Sequence, residues 1–76
     1  MKKPNKINQQ TIFAIYAEDK KGLIGQILVY FNLKSYDVSS LNVACTDISD
    51  MVLITLKATV PLNDLQPFTE RLKKII

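Results

Sequence analysis

The chain has 76 residues, 47% of them apolar, with one cysteine and no histidine. That describes one domain near the small end of what folds alone, with a thin core and a reason to bury surface against a partner. An internal disulfide framework is excluded, and a protein-built zinc or redox site is not expected. No apolar run is long enough to cross a bilayer, and no apolar core follows the N-terminal lysines as a signal peptide requires. A cytoplasmic protein is expected.

The net charge of +3 suggests nucleic acid only until it is located. Lys2, Lys3 and Lys6 all fall in the first ten residues, and the seven other basic residues match the seven acidic ones. The rest of the chain is neutral, with no basic stripe of the kind that follows a phosphate backbone.

Residues 1–10 are polar, contain Pro4 and show no apolar periodicity, so a disordered basic tail is expected there, ahead of a folded unit at 11–76. Thr11 to Glu18 is rich in β-branched and aromatic residues and reads as a strand. Phe13, Ile15 and Ala17 share one face, while Ile12, Ala14 and Tyr16 share the other. With neither face polar, such a strand lies inside a sheet or has its second face covered by another subunit.

The turn Asp19-Lys20-Lys21-Gly22 ends this strand. Asp19 is a candidate cap for the helix that follows, and Gly22 supplies either an unusual backbone geometry or room for a close approach to the main chain. From Leu23 to about Ser35, the residues Leu23, Ile24, Ile27, Leu28 and Phe31 recur at helical spacing. Gly25 in the first turn weakens that helix by about 1 kcal/mol relative to alanine; its missing side chain suits either close packing against a neighbouring chain or ligand, or simply a loosely packed turn. The unpaired amides of a helix start attract anions, which makes this corner the candidate small-molecule site.

Val38 to Cys45 alternates again, Thr46 to Asp50 carries hairpin-turn chemistry, and Met51 to Val60 is the most regular strand in the chain. Cys45 has no histidine to activate it and reads as apolar filler. After Pro61, Leu65, Phe68, Leu72 and Ile75 define a second helix. Asp64 is its candidate cap, which puts Pro67 in the first turn, where no helical bond is lost.

Strand, helix, strand, strand, helix is the α+β, ferredoxin-like βαββα order, short of a last strand that would flank the first. A partner covering that open edge, or a longer chain, is expected.

The turn Asp19-x-x-Gly22-Leu23 and the run from Tyr36 to Val43 resemble the ACT domain, a small regulatory module that binds amino acids. Ser40 to Asp47 is similar to the second-strand region of the acetolactate (acetohydroxyacid) synthase small subunits, and the resemblance spans roughly residues 11–76. It implies a homodimer or higher oligomer joined through sheet edges. It also implies a branched-chain amino acid held between the first turn of one chain and the helix exit of the other, and a large catalytic subunit as partner. Carried onto this chain, the ligand-binding positions are Asp19, Lys21, Gly22, Leu23, Ile24 and Asp37. Aspartate stands at 19 and 37, where that family usually has asparagine. Asp37 would favour a ligand's ammonium and repel its carboxylate. The turn is equally close to the ACT domains that end bifunctional (p)ppGpp synthetase/hydrolases.

The chemistry is that of a non-enzyme. There is no nucleophile beside a base and no Gly-rich phosphate loop, and no cofactor is expected. The aromatic-basic pattern of an RNA-recognition strand is absent from Asp50 to Lys57. The expected function is a dimeric, amino-acid-sensing regulatory domain, with a pure subunit-association module as the alternative.

Overall fold

The sheet is built around the strand whose alternation is most regular. In a computed structural model that describes residues 8–76, the elements are β1 (Asn8–Glu18), α1 (Leu23–Leu33), β2 (Val38–Cys45), β3 (Met51–Pro61), a 3-10 turn at Leu62–Asp64, and α2 (Leu65–Ile75). β3 lies in the middle of a three-stranded antiparallel sheet of order β1-β3-β2. Its Val52, Ile54, Leu56, Ala58 and Val60 are all buried and face both helices. Phe13, Ile15 and Ala17 of β1 join them in one core with Leu23, Ile27 and Phe31 of α1 and Phe68 and Leu72 of α2. One sheet with two helices on one face is a ferredoxin-like α+β fold.

β1 is longer than its own residues announce. It starts at Asn8 rather than Thr11, because Asn8, Gln9 and Gln10 pair with Pro61, Val60 and Thr59. Three polar side chains carry no local strand signal, and the partner strand supplies it. The remainder of the expected tail, including Lys2, Lys3 and Lys6, lies outside the described residues.

Five of the six aromatic rings meet at one place. Phe68 contacts Phe13 at 6.0 Å, Phe31 at 4.7 Å and Tyr36 at 4.9 Å, all edge to face, and stacks flat on Tyr30 at 4.6 Å. Edge-to-face and stacked pairs contribute beyond the area they bury. They fix α2 against β1 and both ends of the α1 exit.

α1 stops two residues earlier than its pattern suggested, at Leu33. The amide of Ser35 donates to Asn32 O at 2.9 Å and that of Tyr36 to Phe31 O at 3.0 Å. This is a Schellman motif, which needs a left-handed residue at its turn. Ser35 takes that conformation, with φ 59°. A serine there carries a steric cost that glycine avoids.

Ser35→Gly is therefore expected to stabilise the fold by about 1 kcal/mol, read as a higher urea midpoint. Phe68→Ala should remove about 3–5 kcal/mol, most of the stability of a domain this small, and leave little folded protein at 25 °C by circular dichroism.

Candidate functional site

The corner between β1 and α1 is built by its backbone. Lys20 O accepts from the Leu23 amide at 3.1 Å, closing a turn in which Gly22 has φ 84° and ψ −3°. Those angles are the third-position geometry of a type II turn, which favours glycine. A Cβ on Gly22 would meet nothing within 4 Å. The positive φ calls for glycine here, and no other part of the chain comes close to it.

Gly22 occupies the N-cap position of α1, and no side chain caps the helix. The expected cap, Asp19, is not one. Its amide donates to Asp50 O at 2.7 Å, tying the corner to the β2–β3 hairpin. Leu23 cannot offer its amide to a ligand either, since Lys20 O holds it. The first helical bond runs from Gln26 N to Gly22 O at 3.0 Å. The first-turn amides ahead of it are those of Ile24 and Gly25, and these are the donors the helix start leaves over.

Asp19, Lys21 and Gly22 are exposed, Ile24 is half-buried and Leu23 is buried in the core. Beside them a cleft of about 390 Å³ opens between β1, α1 and the end of α2, lined by Tyr16, Lys21, Leu23, Gln26 and Ile75. The ion pair between Lys20 and Glu18, at 3.8 Å, is solvent-exposed and contributes little.

Asp37 is not part of this group. It follows the far end of α1, and an 11-residue helix is about 16 Å long. Its carbonyl accepts from Thr59 N at 2.9 Å, while its exposed side chain borders a shallow depression with Leu28, Val29 and Val38. Five of the six sequence-derived positions thus gather at one corner, and the sixth lies at the opposite end of the helix.

The larger cleft, about 620 Å³, is at that opposite end and was not foreseen from sequence. Tyr36 donates its hydroxyl to Asp64 Oδ2 at 2.8 Å. Asp64 does stand at the N-cap position of α2 but makes no side-chain cap bond there. The buried hydroxyl of Tyr30 has no hydrogen-bond partner among the described residues. A tyrosine just off the apolar stripe of α1 was the available signal, but nothing in the sequence tied Tyr36 to Asp64. Among the described residues, no group of three or more His, Cys, Asp and Glu side chains is placed to hold a metal ion.

With this geometry in place, the chain can be set beside known proteins. It is similar to the acetolactate synthase small subunit of Mycolicibacterium smegmatis. The two are 29% identical over 63 residues, covering 83% of this chain and 37% of that protein. The chain thus spans little more than a third of the length of the curated relative it matches. No protein-family model matches it.

Burial, the hydrogen bond to Asp64 and the charge of Asp64 push the Tyr36 phenol up to about 12. The folded state then holds this proton more tightly than the unfolded chain, whose tyrosines titrate near 10. The stability tied to it is fully present below pH 10 and is lost as pH rises toward 12. Urea midpoints measured from pH 9 to 12 should fall more steeply for the natural chain than for Tyr36→Phe; parallel curves would contradict this assignment.

Proposed function

We propose that the chain is a regulatory domain of the acetolactate synthase small-subunit kind, which dimerises and senses a small amino acid. One observation carries the site: the Ile24 and Gly25 amides stand at the positive end of α1, beyond a type II turn, next to a cleft lined by their neighbours Lys21, Leu23 and Gln26. A ligand carboxylate sits on those amides. Its ammonium needs an acceptor, and Asp37 is too far along the same helix to serve in the same chain. In a pair of chains, Asp37 of the second copy closes the site from the other side. The similarity to a named small subunit supports the regulatory role, and a larger catalytic subunit is the partner it implies.

The side chains around the corner make the proposal selective. Asp19 lies on the turn itself and disfavours a ligand with a second carboxylate, so neutral amino acids fit better than acidic ones. The half-buried Ile24 and the buried Leu23 favour an apolar side chain. Valine, leucine and isoleucine are the first ligands to try.

Isothermal titration of the chain with each of the three should give saturable heat for at least one of them, and none for glutamate. Gly22→Ala strains the type II turn and re-aims the first-turn amides, so it should weaken that binding about tenfold or more while α1 remains helical. No heat from any amino acid, with the chain folded and paired, would leave an association module that senses nothing.

A further inference from the structure

The two-layer build leaves one face of the sheet without a helix. On that face β1 presents Ile12, Ala14 and Tyr16, and β3 presents Leu53 and Lys57. Ile12 is 65% exposed, Tyr16 51% and Leu53 38%. Tyr16 is also the one aromatic ring outside the Phe68 cluster. Bulky apolar side chains gathered on one side of a small sheet mark an interaction surface. Register places Tyr16 opposite Leu53 and Ile12 opposite Lys57, with Glu18 following Tyr16 on the same side of β1. The patch is apolar along β1 and at Leu53, polar at Thr55 and along β2 (Ser40, Asn42), with Lys57 toward one end and Glu18, held loosely by Lys20 at 3.8 Å, at the other.

We infer that this face is an interface between two copies of the chain, packed sheet on sheet with their strands antiparallel. The distribution of charge selects both the occupant and the orientation. A two-fold axis along the strands would lay β3 over β3 in register and put Lys57 over the partner's Lys57. An axis across the strands at Thr55 reverses one sheet. Lys57 then lies over the partner's Leu53 and toward the partner's Glu18, and Ile12 lies over the partner's Tyr16. Of these two arrangements, the second is the one in which the surface is complementary to itself.

Its size sets the strength. The stretch Gln10–Glu18 across three strands covers about 30 by 14 Å, or roughly 400 Å² per copy, from ordinary strand rise and spacing. Twice that is below the roughly 1,200 Å² of stable complexes, so the pair is a weak one that forms with rising concentration. It leaves the outer edges of β1 and β2 free for edge pairing, while Tyr16 is shared with the cleft at the β1–α1 corner.

Sedimentation equilibrium from low micromolar to near-millimolar concentration tests this. The natural chain should associate, and Tyr16→Lys and Leu53→Lys should each abolish the face-mediated step while keeping the same circular dichroism. Lys57→Glu and Glu18→Lys should each weaken association about tenfold, and the double exchange should restore it. A natural chain that stays single throughout would overturn the inference, even if another protein covers the face. So would association unchanged in Tyr16→Lys and Leu53→Lys, or a double exchange that fails to rescue.

Discussion

Phe68 joins the two layers. Its ring takes edges from Phe13, Phe31 and Tyr36 and a flat face from Tyr30, so one side chain on α2 fixes the strand β1, the body of α1 and the segment leaving α1. A chain this short buries few large side chains, and placing most of its aromatic area at one point lets a thin core specify a unique packing. The candidate corner benefits directly. Leu23 and Ile27 share that core, so the helix start is held against the sheet while Gly25 and Gln26 stay exposed.

Aromatic packing also places the larger cleft. With Tyr30 flat on Phe68 and Tyr36 edge-on to it, the Tyr36 hydroxyl reaches Asp64 across 28 residues of sequence. That contact engages one oxygen of the carboxylate a local pattern would assign to capping α2. A phenol that donates to a carboxylate is held neutral, which raises its pKa rather than lowering it.

Much of the architecture was legible because it follows from periodicity. β3 alternates without interruption and is the buried centre of the sheet, and the apolar stripe of α1 is the face that packs. The two apolar sides of β1 were also legible, one of them now seen against the helices and the other open. What sequence could not give was decided at a distance. Asp19 and Asp64 both look like caps, yet Gly22 takes the N-cap position of α1, and Asp64 accepts from Tyr36 without making a cap bond to α2. Ser35 in a left-handed turn carries no glycine signal. Asp37 does not reach the corner within the chain. In one chain, a full helix lies between them.

The bond from the Asp19 amide to Asp50 O carries the β1–β3 pairing one residue past Glu18 and Met51, into the loops that follow and precede them. Asp50 is itself in the left-handed region, φ 67°, so the hairpin end is already at a conformational extreme when it receives that bond. The two loops form one latch. Whatever tugs the corner out of place must either unfasten it or haul the β2–β3 hairpin along, and with it the sheet margin on the far side of the molecule.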